Sequence, residues 1–306
     1  MPALDLDLPP PSEADADLHL PRILCLHGGG TNARIFSAQC RGLRRLLGPS
    51  YRLVFADAPF LSSPGPDVTS VYGEWGPFRS WVPVPTGVSL ASWAAAGVEV
   101  QVDARAIDGC VAAAMERDEK AGARGEWVGL LGFSQGARVA ASLLYRQQQQ
   151  RALGGWSRKR GAGAEAASTN YRFAILFAGR GPLLDLGFDS GTTSASSSAP
   201  ASAYASASAS ASESESGSDP DSAAEDDDEN EVDSDNLLRI PTIHIHGLRD
   251  PGLPMHRDLV RCCADSSVRV VEWDGAHRMP ITTKDVGAVV AALRDLAMAR
   301  KYESLR

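Results

Sequence analysis

Short, continuously apolar runs alternate along the chain with stretches whose apolar positions recur every three to four residues. The runs are 23–27 (ILCLH), 53–56 (LVFA), 127–131 (WVGLL), 173–178 (FAILFA), 240–246 (IPTIHIH) and 268–273 (VRVVEW). Their length and apolar content predict strands. The periodic stretches are 34–47, 102–115, 137–150, 255–264 and 286–299, and they predict helices; in the first, Ile35, Phe36, Cys40, Leu43 and Leu47 keep the helical spacing. Strands that are apolar on both faces and separated by helices predict an α/β fold, a mostly parallel sheet of about six strands with helices on both faces. Ligands of such sheets bind beyond the carboxyl ends of the strands. Chemistry is therefore sought after His27, Ala56, Leu131, Ala178, His246 and Trp273.

Two segments break the alternation. Residues 1–20 are acidic and proline-rich and read as a flexible N-terminal lead-in. Residues 190–236 alternate Ser with Ala and then run acidic, a composition that cannot bury enough apolar surface to offset the entropy of ordering. They read as a disordered insertion in a single domain spanning 21–306, of which about 240 residues remain to build one core. The insertion also distorts the charge. The chain has 30 basic and 38 acidic residues, a net charge of −8, but 12 of the acids lie in the insertion. The remainder is nearly neutral, and no basic stripe argues for nucleic acid. No run of 18 apolar residues exists, which argues against a membrane-spanning helix. The N-terminus lacks the basic and apolar regions of a secretory signal. Five cysteines, odd in number and without a CxxC pair, indicate neither a disulfide framework nor a metal site. A reducing compartment is expected, the cytoplasm or alternatively the nucleus.

The chemistry is concentrated at those strand ends. Gly132-Phe133-Ser134-Gln135-Gly136 is GxSxG, preceded by a strand and followed by a helix. This context projects a nucleophilic serine from a tight turn, and the helix N-terminus supplies N–H groups for a developing oxyanion. Serine needs a base. Of six histidines, His277 alone stands in a loop after the last strand, where the Ser…Asp…His order puts the base. Asp250 follows the preceding strand and would orient the imidazole; Asp258 and Asp274 are less well placed. His27-Gly28-Gly29-Gly30 matches the HGGG-type loop that completes an oxyanion hole. The two donors are then the N–H of Gln135 and that of Gly29, with Gly30 as an alternative. His244 and His246 share a strand face but lack a third ligand and read as packing. Arg34, Arg79 and Arg180 are candidates to meet an acidic substrate group. Residues 59–100 form a long irregular stretch with Phe60, Tyr72, Trp75, Phe78, Trp81 and Trp93. Such a connection is usually a binding loop or lid, and Trp75 and Trp81 are the candidates to line an acyl pocket.

Together LHGGGTNARIF, FADAP, GFSQGARVA, IHIHGLRDPGLP and DGAHRMP resemble the fungal serine hydrolases of the FSH family. The resemblance spans about 21–299 apart from the insertion, and the triple glycine after His27 departs from the family's usual segment. It implies a minimal α/β-hydrolase fold, with Ser134 as nucleophile, Asp250 as acid and His277 as base. It also implies an esterase or thioesterase of the kind that releases polyketide chains from their synthases, as in lovastatin assembly. The expected partner is a small-molecule ester or acyl thioester, or an acyl chain on a polyketide synthase carrier domain. No cofactor and no metal are expected. A housekeeping acyl-protein or lipid esterase and a catalytically silent binding module are the alternative readings.

Overall fold

Six strands assemble side by side; the four inner ones are buried along their whole length between two layers of helix, whereas the two edge strands are partly exposed. The computed structural model describes residues 17–65, 68–84, 101–153, 169–187 and 236–303. In chain order its main elements are β1 (Arg22–Leu26), α1 (Ala33–Gln39), α2 (Arg41–Leu47), β2 (Arg52–Ala56), β3 (Phe60–Leu61), β4 (Arg79–Ser80), α3 (Ala104–Lys120) and β5 (Trp127–Phe133). There follow α4 (Gln135–Ala152), β6 (Phe173–Phe177), β7 (Thr242–Gly247), α5 (Leu253–Arg261), β8 (Val268–Trp273) and α6 (Thr283–Glu303). The sheet order is β2-β1-β5-β6-β7-β8, and every pair is parallel. The expected α/β architecture is what forms, and β3 and β4 make a separate antiparallel pair.

Alternation along each strand splits the core in two. Leu24 and Leu26 of β1, with Ala174 and Leu176 of β6, face the layer that contains Ile107 of α3 and Leu144 of α4. Ile23, Cys25, Ile175 and Phe177 face the opposite layer, with Phe36 of α1, Leu43 of α2 and Val289 of α6.

Three departures from expectation bear on the packing. The helix expected over 34–47 breaks at Cys40, which ends α1 and begins α2. The break brings Gly42 against Val286 of α6, where an added Cβ would lie 3.3 Å from the valine methyl. The helix expected to end at Met115 continues to Lys120, because its last turn is polar and carries no apolar period to read. Residues 17–20 do not belong to a loose lead-in. Asp17 pairs with Arg52 at 2.5 Å, and the Leu18 carbonyl accepts the Arg124 N–H at 2.7 Å. Arg52 in turn meets Asp118 at 2.7 Å, and Asp118 meets the buried Arg22 at 3.4 Å, so both edges of this cluster are fixed. The insertion expected over 190–236 lies, but for its last residue, outside the described residues.

Candidate active site

Ser134 sits between β5 and α4 with φ 52° and ψ −115°, a conformation that L side chains rarely adopt. The flanking glycines permit it. A Cβ on Gly132 would come within 2.4 Å of the Gly136 carbonyl, and one on Gly136 within 2.2 Å of the Leu26 carbonyl. The elbow is also tied to the neighbouring strand by the Ser134 N–H, which donates to the Phe177 carbonyl at 2.8 Å.

Asp250 lies on the loop after β7 and His277 on the loop after β8. These loops are stitched together by the Arg249 N–H to the Gly275 carbonyl at 2.8 Å and the Leu248 N–H to the Trp273 carbonyl at 2.9 Å. His277 Nδ1 lies 2.6 Å from Asp250 Oδ2, and His277 Nε2 lies 2.9 Å from Ser134 Oγ. A carboxylate only accepts, so the proton is assigned to Nδ1, which leaves Nε2 to accept from the serine hydroxyl. Asp250 is 4% exposed, and its Oδ1 accepts the Gly252 N–H at 2.8 Å. Burial works against its charge, but the His277 hydrogen bond and charge and the Gly252 N–H outweigh it and hold the carboxyl below its ordinary value. Of the three residues expected to form a triad, His277 is thus brought within hydrogen-bond distance of both Ser134 and Asp250.

The Gln135 N–H heads α4 and makes no hydrogen bond within the described residues. The Gly29 N–H is equally unbonded, whereas the Gly30 N–H donates to the Arg79 carbonyl at 2.8 Å. Of the two glycines considered for the second donor, Gly29 alone has its N–H available. His27 holds this turn from beneath. Its Nε2 accepts the Ala58 N–H at 3.0 Å, and its Nδ1 lies 2.8 Å from the Gly28 carbonyl.

Trp81 does not have the role expected of it. It is 0% exposed; its indole N–H donates to the His27 carbonyl at 2.8 Å, and its backbone N–H donates to Gln135 Oε1 at 2.6 Å. It props the turn and the elbow from inside the core and offers no face to a substrate. The reason is its polar handle: an indole buried with its N–H satisfied makes a good core residue. Trp75 is half-buried, with the Arg34 guanidinium 4.0 Å above its ring and Tyr72 at its edge. Asn32 fixes its carbonyl at 2.7 Å. Trp93 lies outside the described residues. Of the other arginines considered, Arg79 donates to the Ala58 carbonyl at 3.1 Å, and Arg180 lies against Gly252.

His256, one of the six histidines of the sequence, lies beside Asp250, its Nε2 3.4 Å from Oδ2. The signal for it was its place on α5 a few residues after Asp250. His27, His244, His246 and His256 are all buried, and burial lowers their basicity, to about 4 for His27 and His256 and about 3 for His244. The unfolded chain therefore binds protons that the fold refuses between pH 6.5 and about 4, so stability is lost as pH falls through that window. The melting temperature, followed by circular dichroism from pH 7.5 to 4.5, is expected to drop steeply below pH 6.5. A flat profile would show that these histidines charge in place.

The family model of serine hydrolase (FSH1) matches residues 17–289. The chain is 68% identical over 314 residues to "Probable esterase afoC" of Emericella nidulans, with all of both chains covered. It is 46% identical to "Esterase pigG" of Monascus ruber, covering 94% of each chain. Among solved structures it is similar to acyl-protein thioesterase 2 of Zea mays, at 17% identity and a TM-score of 0.46, covering 90% of this chain and 94% of that one.

Proposed function

Because the chain belongs to the FSH1 family of serine hydrolases, we propose that it is an esterase or thioesterase acting through Ser134, His277 and Asp250. The observation that carries this reading is the continuous path from Ser134 Oγ to His277 at 2.9 Å and on to the buried Asp250 at 2.6 Å. His277 Nε2 takes the hydroxyl proton as Oγ bonds to the carbonyl carbon. The carbonyl electrons move onto oxygen, between the Gln135 and Gly29 N–H groups. The intermediate collapses, and His277 hands its proton to the departing alkoxide or thiolate. A water then gives a proton to His277 and attacks the acyl-enzyme; Ser134 leaves and takes that proton back. Asp250 keeps the imidazole oriented and stabilises its charged form throughout. No described helix is long and apolar enough to cross a membrane. The cytoplasm suits five cysteines that are all unpaired.

The substrate class we propose is an apolar acyl ester or thioester, including a polyketide chain presented on a synthase carrier domain. Support comes from the aromatic loop after β2, whose exposed or half-buried Phe60, Tyr72, Trp75 and Phe78 can meet an acyl chain. Each buried CH₂ would contribute up to about 0.8 kcal/mol. Over p-nitrophenyl esters and N-acetylcysteamine thioesters, kcat/KM is expected to rise from acetyl to octanoyl. Trp75→Ala is expected to flatten that rise while acetyl turnover stays near wild type. A wild-type profile that peaks at acetyl would overturn the acyl pocket, and no hydrolysis of any of these substrates would overturn the esterase reading.

A further inference from the structure

We propose that Asp250, His256 and His277 form a binding site for one zinc ion, and that zinc held there stops hydrolysis. Among the described residues these three are a group that offers one potential ligand atom each, all within 4.8 Å of one another. Proximity alone would say little, since any triad pairs an aspartate with a histidine. The independent observation is His256. It is 0% exposed, and neither of its ring nitrogens has a hydrogen-bond partner among the described residues. A buried polar group left unmatched is costly, so a second lone-pair acceptor such as a metal ion would satisfy it. It is also aimed at the site, with Nε2 3.4 Å from Asp250 Oδ2.

Two of the three ligand separations can be set against a zinc shell. With bonds near 2.1 Å, the edge of a tetrahedral zinc shell is about 3.4 Å. The His256–Asp250 separation is already 3.4 Å. The His277–Asp250 separation of 2.6 Å is a hydrogen-bond length and has to open by about 0.8 Å to reach that edge. His277 can supply this movement: it stands on a loop, and its side chain is 31% exposed, which also gives the ion a way in. The Gly252 N–H on Asp250 Oδ1 would keep the carboxylate aimed while Oδ2 binds. Two imidazoles and one carboxylate suit zinc and leave a fourth position for water; magnesium prefers an oxygen shell.

Binding replaces the proton on His277 Nδ1 by a metal ion. The neutral imidazole of His277 shifts its one proton from Nδ1 to Nε2 by way of solvent, Nδ1 gives its lone pair to the zinc, and Asp250 Oδ2 exchanges the hydrogen bond for a metal bond. His277 then loses its orienting partner and carries its proton on Nε2, so it can no longer accept the Ser134 proton. The block rests on the proposed triad, whereas binding of the ion does not.

Zinc chloride is titrated into the wild-type chain, binding being followed by competition with a chromophoric chelator and activity by a p-nitrophenyl ester. One zinc is expected to bind with micromolar affinity and to stop hydrolysis; EDTA should restore it, and magnesium chloride should do neither. His256→Leu is expected to weaken zinc binding, and to raise the half-inhibitory zinc concentration, by at least about tenfold. His256→Gln keeps a polar side chain of similar size and should show the same loss if the leucine variant does not fold. Zinc binding of unchanged strength in the folded variant overturns the site, as does failure of the wild-type chain to take zinc from the chelator. Zinc that binds through His256 without slowing hydrolysis overturns the block and, with it, the role given to His277.

Discussion

Ser134→Ala is expected to lose at least about 10⁴-fold in kcat while keeping the wild-type melting temperature. The hydroxyl is the atom that His277 Nε2 faces at 2.9 Å, and no other nucleophile stands at the elbow. What survives is catalysis by the oxyanion donors and by binding, which leaves a small remainder over water. The fold should be indifferent, because Ser134 is held by its backbone N–H and the elbow by its glycines, and none of these depends on Oγ. A fluorophosphonate probe, which needs an activated serine, is expected to label the wild type and not the variant. Labelling of Ser134→Ala, or a tenth of wild-type kcat remaining, would move the nucleophile elsewhere.

Trp81→Ala is expected to destabilise the fold by about 3–5 kcal/mol, the range for removing a buried aromatic. The change empties a fully buried site and strips the His27 carbonyl of its indole donor. Because His27 and Gln135 are the two groups that Trp81 holds, activity should fall as well. The fall should be equal for acetyl and octanoyl substrates, since the ring props the oxyanion turn and does not touch the acyl chain. Urea unfolding together with the ester series tests both halves. Unchanged stability, with a loss confined to long chains, would return Trp81 to the pocket.

The contrast between these residues shows what can be read from the chain. The strands were legible because a run such as FAILFA, apolar on both faces, has few places to go except the middle of a parallel sheet. Ser134, Asp250 and His277 were legible because each follows a strand at its carboxyl end, and a parallel sheet gathers those ends along one rim. The break at Cys40 was not, since an unbroken helical period runs through it. Nor was the fate of Trp81: composition counts it among loop aromatics, and only its hydrogen bonds tell prop from pocket wall. Asp17 escaped notice because its partner Arg52 lies 35 residues away, a pairing no local pattern signals.

The close seat of Gly136 on the Leu26 and His27 carbonyls has a consequence for descent as well as for chemistry. It welds the reacting centre into one inflexible block that tolerates almost no variation. The aromatic loop is clamped to that block at its base, by Arg79 against Thr31 and Trp81 against Gln135, whereas its tip at Trp75 is held by Asn32 and Arg34, outside that block. Selection can therefore rewrite the tip to suit a new acyl chain without retuning the chemistry. A lineage of such hydrolases is expected to diversify in what it accepts long before it changes what it does.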